Sequence, residues 1–279
     1  MRKILTIGIV FLLLLLGWTL YQNKTLGITE YAVDCSSNPE LSGFTIVQIS
    51  DLHNEEFGKN QQKLLKKVAE CNPDLIAITG DFIDCRNPNV DIAMEFIEGA
   101  VDIADVYYVP GNHERWAYEE YKELCQCMEE AGVHLIEGKQ ETIAYKDAKL
   151  ICMGVQDPDF YDAAESYAKA ALTKEAIAEF EYTKEDFVLL LSHRPELFDI
   201  YVEGKIDVVL TGHAHGGQFR LPLIGGLAAP NQGLFPKYDS GMFVEDDTHM
   251  IVSRGIGNSI IPLRVNNPPE IVVVKLTAK

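Results

Sequence analysis

Between Phe44 and His215 the chain repeats one pattern, in which a short, β-branched apolar run stops at a residue with a lone pair to offer. Phe44 to Ile49 ends in Ser50-Asp51, with His53 just beyond, and Asp74 to Thr79 ends in Gly80-Asp81. Val106 to Val109 leads through Pro110-Gly111 to Asn112 and His113, and Phe187 to Leu191 leads to Ser192-His193. Asp207 to Leu210 gives way to Thr211-Gly212-His213-Ala214-His215. Helical patterns fall between the first runs, near Gly58 to Cys71 and Val90 to Ala100. Strand-helix alternation of this kind predicts a sheet covered by helices. Ligands of such sheets bind beyond the carboxyl ends of the strands. A single Asp or Asn after a strand is an ordinary helix cap. Five strand ends doing the same thing point to one shared site.

The last block is the most telling. Residues i and i+2 of an extended segment point the same way, so His213 and His215 address one place. Imidazole is a frequent transition-metal ligand, and the flanking glycines let a ligand approach the backbone closely. Alone, the pair reads equally as two surface histidines in a glycine loop; the carboxylates must come from the other strand ends. Further along, Tyr118 to Ala131 and Glu165 to Phe180 read as helices. Val133 to Ile136, Thr142 to Tyr145 and Leu150 to Val155 read as strands, and the tail from Met242 as several antiparallel strands. The β-rich second half predicts a second sheet packed on the first. Residues 44–279 carry no repeat, linker or low-complexity stretch and read as one domain.

Taken together, Asp51-x-His53, Gly80-Asp81-x-x-Asp84, Gly111-Asn112-His113-Glu114, His193 and Gly212-His213-x-His215 resemble the calcineurin-like metallophosphoesterase family, in order and approximate spacing. Gly216 to Pro222, Ser253 to Gly257 and Pro269 to Ile271 look like its membrane-associated bacterial branch. The resemblance implies an α/β four-layer αββα sandwich, two mixed sheets flanked by helices. It also implies two divalent metal ions (manganese, zinc or iron) bridged by Asp81. Asp51, His53 and His215 would complete one site; Asn112, His193 and His213 the other. Two ions roughly 3.5–4 Å apart activate a bridging hydroxide and clamp the attacking and departing oxygens of an in-line displacement at phosphorus. His113 matches the family's catalytic histidine, acting on the leaving oxygen, with Asp84 as the group that orients it. Hydrolysis of a phosphodiester or pyrophosphate is the implied reaction. A small-nucleotide or cyclic-nucleotide phosphodiesterase or a nuclease is a second reading, and a non-catalytic metal-binding envelope protein a third. The third leaves the extra imidazole of His113 without a use.

Arg194 and Arg220 are candidates for binding the substrate phosphate, or are surface ion-pair partners. His134 and His249 read as ordinary histidines. The loop Phe219 to Phe235 is rich in glycine, proline and leucine, and its one charged residue is Arg220. It either walls the site as packed irregular chain or forms an apolar lip for a lipid-linked substrate.

Composition sets the remaining bounds. With 24 basic against 42 acidic residues the net charge is −18. Such a body repels a phosphate backbone, so no long nucleic acid is expected as a partner. Cysteines stand at positions 35, 71, 85, 125, 127 and 152, a spacing that fits neither a zinc ribbon nor a dense disulfide framework. Arg2 and Lys3 precede an apolar run of 18 residues, Ile4 to Tyr21. That length is within the range that spans a bilayer, and no small-x-small cleavage site follows it. Residues 1–22 therefore read as an uncleaved transmembrane signal-anchor with a cleaved signal peptide as the alternative. The leading charges put the catalytic domain on the extracytoplasmic side of the cell membrane, as a single-pass protein. Residues 23–43 read as a polar tether with a strand-like segment, Ile28 to Val33.

Overall fold

The computed structural model describes residues 2–258 and 262–278, without the side chains of 2–5, 7, 8, 11, 12 and 15. Its first half runs α1 (Arg2–Asn23), β1 (Gly27–Asp34), β2 (Thr45–Ile49), α2 (Gln62–Glu70), β3 (Leu75–Thr79), α3 (Val90–Ala100), β4 (Asp105–Val109), α4 (Asn112–Trp116), α5 (Tyr118–Ala131), β5 (His134–Leu135), β6 (Lys139–Tyr145) and β7 (Ala148–Gly154). There follow α6 (Ser166–Ala178), β8 (Phe187–Leu191), α7 (Phe198–Glu203), β9 (Val208–Thr211), β10 (Arg220–Leu221), β11 (Gly225–Gly226), β12 (Ala228–Ala229), β13 (Gly233–Leu234), β14 (Gly241–Glu245), β15 (Thr248–Val252) and β16 (Glu270–Thr277).

Two six-stranded sheets carry the fold, in the orders β1-β16-β2-β3-β4-β5 and β14-β15-β9-β8-β7-β6. In the first, β2 to β5 are parallel and β16 runs against β2. In the second, β15, β9, β8 and β7 are parallel, with β14 and β6 antiparallel at the two edges. Both are thus mixed sheets. Side chains of a strand alternate between faces, and the burial follows. Ile46, Leu75, Ala77 and Tyr107 of the first sheet meet Leu150, Leu189, Leu191 and Leu210 of the second. Val47, Ile76, Ile78 and Val106 point the other way, under Val68, Phe96 and Leu124 of α2, α3 and α5. Ile151, Val188 and Val209 lie under Ile177, Phe198 and Tyr201 of α6 and α7. The result is the expected αββα sandwich. Each such aliphatic side chain withdrawn from water contributes about 1.5–3 kcal/mol. Gln48 is a polar exception between the sheets: its amide donates to Thr79 Oγ1 at 2.8 Å and across to the Thr211 carbonyl at 2.9 Å. It ties the carboxyl ends of β3 and β9 together.

Two expectations change. The strand-like segment expected within 23–43 is present and does more than tether: Gly27–Asp34 pairs along its whole length, parallel to β16, as the edge strand of the first sheet. The tail is not a simple antiparallel set either. β15 joins β9 in parallel, and β16 crosses to the other sheet. Residues 2–23 form one helix, but among the described residues no helix is long and apolar enough to cross a membrane. The anchor expectation for 1–22 falls partly on positions outside the described residues. At its far end α1 is fastened: Asn23 Nδ2 donates to the Arg264 carbonyl at 2.7 Å, and the Arg264 amide donates to Asn23 Oδ1 at 2.8 Å.

Candidate metal centre

The turns that follow β2, β3 and β9 all leave the strands through left-handed backbone. Asp51 (φ 54°), His53 (45°), Asp81 (52°), His213 (65°) and His215 (47°) have positive φ without being glycine. Such residues cost of order 1–3 kcal/mol each and persist only where packing over-determines them. Glycines supply that packing. A Cβ on Gly212 would stand 2.0 Å from Ser50 Oγ and 2.4 Å from Asp51 Oδ2; one on Gly80 would meet Gly111 N at 2.6 Å. No other residue lets these turns approach so closely.

The turns bring five strand ends to one buried point. Asp51, His53, Asp81 and His215 place one ligand-type atom each within 4.8 Å of one another, and Asp81, His193 and His213 do the same. Asp81 belongs to both groups. His53 Nε2 lies 3.6 Å and His193 Nε2 3.2 Å from the same Asp81 oxygen, while Asp51 Oδ1 lies 3.3 Å from His215 Nε2. His53 Nε2 and His215 Nε2 face each other at 3.2 Å. Asn112 Oδ1 and Asp51 Oδ2 are buried without a hydrogen-bond partner. Unpaired buried acceptors are costly, and a bound cation would satisfy them. The two His/Asp clusters therefore fit two divalent ions, and Asn112 lines the same cleft.

Electrostatics agree. Burial pushes the His53 imidazole down to about 3 and holds His213 and His215 well below the usual histidine range, so these rings are uncharged at neutral pH, the form that binds metal. Burial raises the Asp51 carboxyl to about 6. His193 is the opposite case. Burial alone would lower it, but the Asp81 carboxylate beside it lifts it to about 10. Its Nδ1 is 2.7 Å from the Thr79 carbonyl, which fixes that nitrogen as the donor and turns Nε2 toward Asp81.

His113 sits at the start of α4, with its ring 4.4 Å from that of His53. The Cys85 amide donates to His113 Nδ1 at 3.2 Å, which puts the proton of the neutral ring on Nε2. Asp84 does not make the expected orienting hydrogen bond. Its carboxylate is 3.7 Å from Nδ1 and is held by Arg86, from both the main chain and the guanidinium. Arg194 is buried and bidentate to Asp157, yet its Nη1 reaches His213 Nε2 and Asn231 Oδ1, both at 3.0 Å, so it does line the cleft. Arg220 does not reach it. Nη1 pairs with Asp239 at 2.9 Å, on a separate surface pocket. His134 pairs with Glu141, away from the centre.

Glu114, quoted in the sequence motif but given no role there, belongs to the site, as do Asn231 and Arg264, which no motif includes. Glu114 accepts from the amides of Gly111, Asp81, Phe82 and Ile83, stapling the β3 turn to α4. A glutamate three residues after the N-cap Gly111 is the signal that finds it. Arg264 is buried with Nη2 3.3 Å from His215 Nδ1. Nothing in its local sequence announces this. The cleft above the centre, about 100 Å³, is lined by Asn112, His113, Trp116, Arg194, Pro230 and Asn231 among others.

Fold and site define a dinuclear-type phosphoester hydrolase. The model of the calcineurin-like phosphoesterases matches residues 44–217, more than half of the chain, which belongs to that family. Among similar proteins are the metallophosphoesterase YkuE of Bacillus subtilis, 28% identical over 89% of this chain and 84% of its own, and the phosphodiesterase YaeI of Escherichia coli, 26% identical over 84% and 82%. A transmembrane protein with a metallophosphoesterase domain from Danio rerio is 25% identical over 89% of this chain and 57% of its own. Phosphopantetheinyl hydrolase of Mycobacterium tuberculosis shares the fold, with a TM-score of 0.50 at 13% identity over 76% of this chain and 89% of its own.

Proposed function

We propose that this hydrolase cleaves a phosphodiester or pyrophosphate of a lipid-linked or cell-envelope substrate at a membrane surface. The reading rests on one observation: two ligand clusters share Asp81 at the floor of a cleft whose wall includes His113 and whose only lysine or arginine, among the described residues, is Arg194. Two divalent ions (manganese, zinc or iron) held by Asp51, His53, Asp81 and His215 and by Asp81, Asn112, His193 and His213 would offset phosphate charge and let water attack at neutral pH. The chain does the rest. Asp81 spaces the two sites, and Glu114 fixes the turn that carries it. Asn231 and Arg194 orient phosphoryl oxygens at the wall. His113, its Nδ1 held by the Cys85 amide, donates a hydrogen bond from Nε2–H to the leaving oxygen, and water supplies the proton.

The diester preference has a physical basis. Asp157 already matches the Arg194 charge, so no spare cation awaits the second negative charge of a monoester. The relative YaeI, named a phosphodiesterase, points the same way. The membrane part rests on the run 4–21, the relative named a transmembrane protein, and the loop after the ligands, where Leu223, Leu234 and Phe235 are exposed. Arg2 and Lys3 favour an extracytoplasmic catalytic domain.

The test is hydrolysis of bis-p-nitrophenyl phosphate and p-nitrophenyl phosphate by the full chain in detergent, with manganese, zinc or iron. Metal-dependent diesterase activity that falls about 10²- to 10⁴-fold in His113→Ala, with metal content unchanged, is expected. Activity on the monoester alone overturns the substrate preference.

A further inference from the structure

The dinuclear centre is not the only group of ligand atoms. Asp84, Cys85 and His113 also place a carboxylate oxygen, a thiol and a ring nitrogen within 4.8 Å of one another. We propose that these three side chains form a separate regulatory site for a soft divalent cation such as zinc or cadmium, whose occupation inhibits the enzyme through His113.

The donor set differs in kind from that of the main centre. A thiolate, an imidazole and a carboxylate, with a fourth position left to water, is a zinc-type combination, whereas manganese and magnesium prefer oxygen. The spacing is close to ready. Ligands about 2.0–2.2 Å from one tetrahedral ion stand roughly 3.4 Å apart, and Asp84 Oδ1 lies 3.7 Å from His113 Nδ1. Binding releases the Cys85 proton to solvent, so the divalent ion meets a thiolate, a carboxylate and a neutral ring. That complex has no net charge and sits beside the main centre without repelling it.

Three existing contacts give way. One is the Cys85 amide on His113 Nδ1 at 3.2 Å. The others come from Arg86 to Asp84: its main-chain amide on Oδ1 at 2.9 Å, and its guanidinium, on a side chain that is 48% exposed and so holds weakly. A cation on Nδ1 draws the ring toward Asp84 and Cys85, so Nε2 no longer meets the leaving oxygen. The inhibition depends on the catalytic part proposed above for His113; the binding does not.

The experiment titrates cadmium into the manganese-loaded full chain and follows the ultraviolet thiolate-to-cadmium charge-transfer band, alongside zinc inhibition of diester hydrolysis scaled to each variant's own rate. Wild type is expected to bind one equivalent more than Cys85→Ser and to show a band that the variant loses. The zinc inhibition constant is expected to rise at least tenfold in Cys85→Ser and in Asp84→Asn. An unchanged band and stoichiometry in Cys85→Ser overturns the site. A band that disappears while zinc inhibition stays the same retains the site and overturns its action through His113.

Discussion

The metal rim and the loop 219–235 are neighbours built on opposite principles. At the rim every ligand-type side chain is buried, and five of them stand on left-handed backbone held by glycines that admit no Cβ. In the loop the chain folds into two ribbons of two-residue strands, β10-β11 and β12-β13, and leaves large apolar side chains in solvent. One region has its conformation fixed by its own packing. The other keeps apolar surface that the chain itself does not cover. Rigid geometry suits chemistry at phosphorus; under the proposed function the uncovered surface is where a lipid-linked substrate would rest.

The comparison breaks most sharply at Asp81. Asp81→Ala removes the oxygens common to both clusters, and metal content by elemental analysis should fall with diesterase activity by at least about 10³-fold, beyond the 10–100-fold typical of outer contacts. Next comes a pair of glycines. Gly212→Ala forces a methyl to within 2.0 Å of Ser50 Oγ, so unfolding in urea should register a loss of about 3 kcal/mol or more. Gly233→Ala, in the loop, meets nothing within 4 Å despite a φ of 72°, and about 1 kcal/mol is the expected cost. Equal losses would mean the two regions are equally constrained. A smaller effect is expected from Leu223→Asp with Leu234→Asp: roughly tenfold slower hydrolysis of a phosphodiester lipid in vesicles, with bis-p-nitrophenyl phosphate unaffected. Loss on both substrates would make the loop structural.

The smallest effect lies at the far end of the second sheet. Burial raises the Asp207 carboxyl to about 6, above the unfolded value of about 3.9. The folded state therefore holds this proton more tightly, and that stabilisation, full at low pH, is lost as pH rises through about 6. Asp207→Asn should be more stable than wild type by about 1 kcal/mol at pH 7, allowing for solvent access, with no gain near pH 4. An equal difference at both pH values would assign the effect to packing.

What can be read without coordinates follows from locality. Asp51, Asp81, Asn112, His193 and His213 each close a strand-like run, so their convergence can be read from period and order. β16 cannot be read this way, because its pairing with β1 and β2 joins segments more than 200 residues apart. Arg264 and Asn231 reach the site from irregular chain, where no period points. Asp84 makes no hydrogen bond to His113, and Arg220 takes the ion-pair alternative, for a related reason. Their nearest partners, Arg86 and Asp239, satisfy them before the cleft does.

The clasp between Asn23 and the main chain of Arg264 has a mechanical consequence. Three residues, 24–26, separate α1 from β1, and a flexible linker allows a wander of about 5–6 Å times the square root of its length. Here even that play is removed, since the helix end is bonded to the segment whose guanidinium touches His215. Helix and cleft are thus joined; were α1 seated at a membrane, as proposed above, the catalytic mouth would be carried at a set standoff from it, and substrate would have to come to that height.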